Sequence, residues 1–503
     1  MSGPDQPAPS AEDAARDRVI AEDGRALTRG VGINAAGNVA KLATPLLLAF
    51  STRAYGVERW GVFVTMQALV MVVARVGILG LDKAMLWWVA SREPKEADSA
   101  LAPALLLAAA GSGFVAGCVA LFGEFALRLS EVNLQHLALL RIMLLGLPLF
   151  AVTEVNINAC IGLKRMEPQV VVRDTLVPIA QVALSLLLAV VGLLESGLAW
   201  SFVLANGAGL IVSTVAQRAL FRGRAKPKRM VLAGPLLRYA LPAGLADLSN
   251  ALLQRLDTLV LASLTNPATV GVWGIVLQFG NAIRQIRRAF DPIVVAVSAG
   301  IARSRDRKRL VEMTSYAAQL VMVTQVPVFA FLFAFAPLLL PLYGADFARG
   351  AAPVLVLAGF WLFNGAAGLA GVVLSGYGHA AIGLFLVWLA LIVQTALLFV
   401  LVPHFGLIGA AIAVGASYTV QNIAQAIALR NRIQVFLFTM RSLQPLVPAL
   451  FGGLAALFTL ALVGTQAYWL GRSLAFMAFV IVYGGLVFND YRSGRLSPVT
   501  NVD

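Results

Sequence analysis

The sequence predicts an all-α membrane protein. It reads as a polytopic bundle of about 14 transmembrane helices, in two pseudo-symmetric six-helix lobes around a central cavity plus two C-terminal helices. Three observations predict this. Of 503 residues, 59% are hydrophobic and 13% charged, where a soluble domain carries about 25% charge. Apolar runs of about 20 residues recur along nearly the whole chain. Stretches roughly 210 residues apart resemble one another. Lipid admits only helix bundles and closed barrels as spanning structures, and these runs are continuous rather than alternating, so helices are predicted.

The elements follow in order. Residues 1–29 contain no apolar segment of the signal-peptide type and are expected to form a disordered cytoplasmic tail. Spans are predicted over about 31–53, 60–81, 99–122, 138–162, 170–193, 197–218, 236–264, 269–291, 312–341, 350–375, 380–402, 406–429, 444–464 and 470–489. The eighth is expected to run past Pro292 as a kinked extension to about residue 302. Residues 30–220 then form the N-lobe, 221–235 a basic linker and 236–430 the C-lobe. Residues 431–490 hold spans 13 and 14, and 491–503 a cytoplasmic tail.

Lys and Arg set the expected orientation. With the N-terminus in the cytoplasm, inner segments hold 24 of the 39 basic residues, including "RALFRGRAKPKR" and "RSRDRKR". The outer loops hold Arg53, Arg59, Arg128, Arg141, Arg349 and Arg472. An even span count places both ends inside. The formal charge of +14 is this topological bias, so it predicts no nucleic-acid partner.

The repeat rests on two matches. "WGVFVTMQ" (Trp60 to Gln67) resembles "VGVWGIVLQ" (Val270 to Gln278), with Gly61 against Gly271, and "GLAWSFVLAN" resembles "GAAIAVGAS", at offsets of 210 and 212. Six spans per copy give both copies one orientation, with parallel repeats about an axis along the membrane normal.

The stretch "GLADLSNALLQRLDTLVLASL" (Gly244 to Leu264) carries Asp247, Arg255 and Asp257 inside a predicted span. Each charge at mid-span costs roughly 2.5–3.5 kcal/mol, while each Leu or Val returns about 0.3–0.6. Three charges therefore cost about 9 kcal/mol and nine Leu/Val residues return about 4. The charges must face protein or water. Asp247, Asn250, Gln254 and Asp257 follow helical spacing, so they share one face. Similar stripes occur in span 1 (Asn34, Asn38, Lys41, Thr44), span 8 (Gln278, Asn281, Gln285, Arg288) and span 12 (Tyr418, Gln421, Asn422, Gln425). Span 2 adds Gln67 and Arg75, and span 4 adds Glu154 and Asn158.

Facing one another, these stripes would line a water-filled cavity. Its basic members would be Lys41, Arg75, Arg255, Arg284, Arg287 and Arg288, and its acidic ones Glu154, Asp247, Asp257 and Asp291. Arg suits a phosphate, which it binds bidentately. A carboxylate there can carry a proton or coordinate sodium. Two alternatives stay open: structural pairing, for example of Arg255 with Asp257 or Glu154, and a topology-anchoring role for the span 8 arginines.

Cys118 and Cys160 lie inside spans and form neither a disulfide framework nor a metal set. No metal or other cofactor is expected. The chain lacks a Walker A motif, so ATP hydrolysis within it is not expected to drive transport. The outer loops are short and carry no acid/base constellation, which argues against an enzyme and for a secondary transporter.

Three stretches resemble the oligosaccharide flippases (Wzx or polysaccharide-transporter type) of the multidrug/oligosaccharidyl-lipid/polysaccharide exporter superfamily. "GINAAGNVAKLATPLLLAFSTRAYGVERWGVFVTMQALVMVVARVGILGLDKAM" resembles that family's first two spans, with Arg53, Gly56 and Gly61 in its Arg–x–x–Gly–x–x–x–x–Gly pattern. "RYALPAGLADLSNALLQRLDTLVLASLTNPATVGVWG" resembles its span 7, with Asp257 at the middle, and "FAPLLLPLYGADFARGAAPVLVLAG" its span 9–10 connection. The resemblance implies translocation of undecaprenyl-diphosphate-linked oligosaccharides across the bacterial inner membrane, for exopolysaccharide, capsule or O-antigen synthesis. It implies alternating access coupled to H+ or Na+, and polysaccharide polymerase and chain-length machinery as partners beside the lipid bilayer. Asn34, Asn38, Lys41, Arg53, Arg75, Arg255, Gln278, Asn281, Arg284 and Arg288 are the expected substrate contacts. Asp247, Asp257 and Glu154 are the expected ion-coupling groups. The alternatives are a lipid II flippase and a cation-coupled multidrug exporter of the same superfamily.

Overall fold

The computed structural model describes residues 47–129, 136–222, 234–304, 306–435, 443–463 and 468–493. Among these the chain is almost wholly helical, without a strand. The predicted N-terminal tail and most of the first span lie outside the described residues, as do most of the basic linker and the C-terminal tail. The helices are α1 (Leu47–Ile78), α2 (Leu81–Ser91), α3 (Pro94–Leu129), α4 (Leu137–Leu144), α5 (Gly146–Gly162), α6 (Val177–Val190), α7 (Gly197–Phe221) and α8 (Gly234–Leu264). They continue as α9 (Pro267–Ser304), α10 (Arg307–Leu339), α11 (Ala351–Ala367), α12 (Ala370–Gly376), α13 (Ala380–Ile433), α14 (Leu446–Val463) and α15 (Tyr468–Arg492).

Ten helical stretches are long and apolar enough to cross a bilayer. This is a multi-pass membrane protein. Two of the ten are broken by a glycine turn between predicted spans. In α13, Gly406 sits at φ +54° and ψ −127°, so the 54-residue helix is two helices meeting at a turn. Gly56, at φ +80°, interrupts α1 in the same way. Both turns fall where the sequence predicts the 1–2 and 11–12 connections, and at such φ only glycine is free of a Cβ penalty. Helices α8 and α9 are not among the ten, because their polar stripes lower their mean hydropathy. Helix α9 does run through Pro292, to Ser304.

One element was not legible in the sequence. Residues Gln169–Leu176, at the start of the fifth span, form a π-helix that leads into α6. Such wide turns are rare and often mark functional positions.

The chain divides into two compact units, with the division falling inside α1 and α8. The first contains 73–122 and 140–245. Its core joins Ile78, Leu81, Met85 and Trp88 to a stripe of Ala97, Ala100, Ala104 and Ala108 on α3. Small residues let helix backbones approach closely where lipid supplies no hydrophobic drive. Helix α2 packs on α5, and α7 packs on both α5 and α6.

The second unit contains 48–72, 123–139 and 246–503. Helix α9 is its centre and packs on α10, α11 and α12, while α11 packs on α13 and α14 on α15. Here the two repeat-matched glycines meet. A Cβ on Gly61 would strike the Pro267 carbonyl and the Gly271 nitrogen, and a Cβ on Gly271 would strike the Val57 carbonyl. Helices α1 and α9 thus touch backbone to backbone at Gly61 and Gly271.

Candidate functional site

In the first unit, charges converge from four elements. Arg75 of α1 lies 3.7 Å from the Asp82 carboxylate of α2, with its guanidinium 5.5 Å from the centre of the Phe150 ring of α5. The Lys83 ammonium is 3.3 Å from the same Asp82 oxygen. Glu154 of α5 is buried, and Arg173 of the π-helix grips it with both arms of its fork: Nε donates to Oε1 at 2.9 Å and Nη2 donates to Oε2. Asn158 points its amide at the Glu154 backbone carbonyl, 2.9 Å away. Asp174 is buried beside Arg173, which also lies within electrostatic reach of Asp82. Both Arg173, half-buried, and Asp174, buried, belong to the π-helix Gln169–Leu176.

In the second unit, α8 and α9 carry the predicted stripes. On α8, Asn250 and Gln254 are exposed, and each amide donates to the backbone one turn earlier. Asp247 and Arg255 are half-buried. Asp257 departs from this face: it is 2% exposed and accepts a 2.8 Å hydrogen bond from Nε1 of the fully buried Trp273 on α9. On α9, Gln278, Gln285 and Arg288 are exposed and Asn281 is half-buried, so this stripe is a single accessible face.

One turn along that face, Arg284 is held in an aromatic cradle. Its guanidinium is 4.8 Å from the Trp361 ring centre and 4.6 Å from that of Tyr418. It also donates to the Tyr418 hydroxyl at 3.0 Å. The two rings meet edge to face at 4.9 Å. Cation–π contacts of this kind fix a guanidinium without neutralising it. Arg287 donates to Asp291, 3.3 Å away, and to the Gly368 carbonyl at 3.1 Å. Asn364 accepts from Asn422 at 2.7 Å and extends the polar surface across α11 and α13.

The two units repeat one device. Arg284 follows Arg75 by 209 residues, and Trp361 follows Phe150 by 211, close to the offsets of the sequence repeat. In each unit an Arg stacks on an aromatic ring, and an acid follows that Arg by seven residues: Asp82 after Arg75, Asp291 after Arg284.

Among the predicted site residues, then, Arg75 and Glu154 fall in the first unit's network. Gln278, Asn281, Arg284 and Arg288 share one face of α9, and Asp257 is buried against Trp273. Arg53 is exposed beside the Gly56 turn. Asn34, Asn38 and Lys41 lie outside the described residues. Sequence reasoning missed Asp82, Arg173, Asp174, Trp273 and Trp361. The seven-residue spacing from Arg75, matched by Arg284 and Asp291, is the signal that could have found Asp82. Among the described residues no group of three or more His, Cys, Asp or Glu side chains converges as a metal site would. An apolar cavity of about 980 Å³ lies among α10, α11, α14 and α15 and holds none of the predicted site residues.

This is the architecture of a polytopic membrane helix bundle. It superimposes on the inward closed lipid II flippase MurJ with a TM-score of 0.69, at 12% identity, covering 91% of this chain and 99% of that one. It superimposes on an inward-facing multidrug resistance MATE family transporter of the MOP superfamily with a TM-score of 0.67, at 16% identity, covering 79% and 98%. A Vibrio cholerae MATE transporter gives a TM-score of 0.58 at 16% identity, covering 81% and 97%. No curated protein sequence matches the chain. A model of the polysaccharide biosynthesis protein family matches residues 52–349, and the chain belongs to that family.

Proposed function

We propose that this protein is a flippase. It carries undecaprenyl-diphosphate-linked oligosaccharide repeat units from the inner to the outer leaflet of the bacterial inner membrane, by cation-coupled alternating access. Both termini lie in the cytoplasm, and the polysaccharide polymerase acts on the product.

The observation that carries this reading is the accessible polar face of α9, with Gln278, Gln285 and Arg288 exposed and Arg284 presented by two aromatic rings. A lipid-facing helix does not sustain such a face, because each charge in hydrocarbon costs several kcal/mol. Exposed amides suit sugar hydroxyls, and a guanidinium suits a diphosphate. Membership of a polysaccharide biosynthesis family supports a glycan cargo. The lobes would alternate around Arg75, Arg255, Arg284 and Arg288 as substrate contacts, with Lys41, Asn34, Asn38, Arg53, Gln278 and Asn281 completing the set. Asp247, Asp257 and Glu154 remain the proposed coupling carboxylates.

The test is translocation in proteoliposomes. Undecaprenyl-diphosphate oligosaccharide is placed in one leaflet and its arrival in the other is followed, with and without a proton or sodium gradient, for wild type and Asp257→Asn. Gradient-dependent transfer that is lost in the variant is expected. A folded wild type that transfers lipid II or a cationic drug but not this substrate would overturn the assignment.

A further inference from the structure

In the first unit, two aromatic side chains from distant parts of the chain lie flat against each other. Trp87 of α2 and Tyr239 of α8 stack with ring centres 4.7 Å apart and planes 9° from parallel. The pair is held firmly. A Cβ on Gly80, at the start of α2, would strike the Ala240 carbonyl and the Gly244 nitrogen of α8, so the two backbones touch two turns from Trp87. Trp87 packs on the unit's core and meets Trp88 edge-on at 5.9 Å. Tyr239 is 41% exposed, and with one ring face against Trp87 its outer side is the part that remains open. Trp88 next to the pair is already used: it donates to the Glu96 carbonyl at 3.3 Å and lies under the Arg92 guanidinium. Among the described residues the Tyr239 hydroxyl makes no hydrogen bond.

We propose that Tyr239, backed by Trp87, is a stacking platform for the pyranose ring nearest the diphosphate of the cargo, with Lys83 reaching the phosphate on that ring. The face of an aromatic ring is electron-rich, and the C–H bonds along one side of a pyranose present weakly positive hydrogens to it. The Tyr239 hydroxyl, as donor or acceptor, suits the hydroxyls of the same sugar. Lys83 stands one turn before Trp87 on α2, so the two share a face with Cβ atoms about 6 Å apart. Its side chain is 39% exposed and its ammonium is 3.3 Å from the Asp82 carboxylate. With three donors, that ammonium serves a phosphate oxygen and keeps Asp82 as a partner.

Trp and Tyr also collect at membrane–water interfaces, where single rings anchor a helix among lipid headgroups. The surroundings of this pair favour the sugar. The face of α2 that carries Trp87 also carries Lys83 and the exposed Ala90 and Ser91, and Arg238 is exposed beside Tyr239 on α8. Cations on both sides keep the surface wet, because charges are not left facing hydrocarbon. An anchor is served by one ring, whereas a second ring laid flat behind Tyr239 fixes the plane of the first, which stacking on a sugar requires.

This inference rests on the lipid-linked oligosaccharide reading above, and the experiment separates the two. The probe is glucose 1-phosphate, with inorganic phosphate as the reference, titrated by calorimetry into full-length protein in lipid nanodiscs, without sugar-headed detergent. Wild type is expected to bind glucose 1-phosphate about fivefold more tightly than phosphate. Tyr239→Leu should bind the two equally with its phosphate affinity unchanged, Tyr239→Phe should keep most of the difference, and Lys83→Gln should weaken both ligands alike. Saturation-transfer NMR should carry signal to the sugar C–H protons in wild type and Tyr239→Phe but not in Tyr239→Leu. Should Tyr239→Leu fail to fold, Trp87→Leu serves: loss of the backing ring must at least halve the preference for the sugar. A preference that survives in the folded leucine variant, or none in wild type, overturns the platform, while transport of the lipid-linked oligosaccharide in proteoliposomes keeps the flippase reading standing. Absence of both the preference and transport overturns both.

Discussion

Breaking the Arg173–Glu154 pair tests whether the π-helical turn is secured by charge. The perturbation is Arg173→Met, which keeps the length of the side chain and removes its fork. The Glu154 side chain is 4% exposed and would be left as a buried carboxylate without its bidentate donor. Removing one partner of a buried pair costs about 3–5 kcal/mol. The Arg173 side chain is one-third exposed, so water partly screens the pair and the lower end, about 3 kcal/mol, applies. The double variant Arg173→Met/Glu154→Leu removes both charges together, and apolar replacement of a buried pair is often neutral or better. It should lie within about 1 kcal/mol of wild type, because Asp82 retains Arg75 and Lys83. Reversible unfolding of micellar protein in a denaturing detergent gives the free energies. A cost below about 1 kcal/mol for Arg173→Met, or a double variant that loses the sum of the two single costs, would refute the reasoning.

Three further outcomes are expected. Trp273→Phe removes the 2.8 Å bond to the buried Asp257 carboxylate and should cost about 1.5–3 kcal/mol in the same unfolding assay, with part of the loss recovered in the Trp273→Phe/Asp257→Asn pair. Tyr418→Phe keeps the ring against Arg284 but loses the 3.0 Å hydroxyl contact, so it should cost about 0.5–1.5 kcal/mol and impair proteoliposome transport less than Tyr418→Ala does. Gly61→Ala should destabilise by about 1–3 kcal/mol through overpacking. Gly117→Ala in α3, where a Cβ meets nothing within 4 Å, should be neutral or stabilise by up to about 1 kcal/mol; thermal stability of the detergent-purified variants distinguishes the two.

What could be read in advance follows from periodicity. Runs of apolar residues give the helices, because nothing but a hydrogen-bonded helix suits twenty apolar residues in lipid. Helical spacing places Gln278, Asn281, Gln285 and Arg288 on one face, and the structure keeps them there. The same arithmetic joins Asp257 to Asn250 and Gln254, but Asp257 is withdrawn by a tertiary contact, the indole of Trp273, which spacing along one helix cannot reveal. Asp82 escaped because it stands one residue past the predicted end of its span, where a charge reads as a loop. Arg173 and Asp174 escaped because their place in the network depends on a tertiary contact, the pairing of Arg173 with Glu154 on another helix, which spacing along one segment cannot reveal. Trp361 looked like an ordinary apolar residue. Its partnership with Arg284 spans 77 positions of chain and becomes visible only when it is set beside Arg75 and Phe150.

The contact between Gly61 and Gly271 limits which substitutions the chain can accept. A Cβ on Gly61 would strike the Pro267 carbonyl, and one on Gly271 the Val57 carbonyl. Each glycine abuts the other helix's main chain rather than a side chain, so a larger residue on one side cannot be offset by a smaller one opposite. Both positions are therefore closed to any side chain, and a residue larger than glycine at either one would require a helix to move.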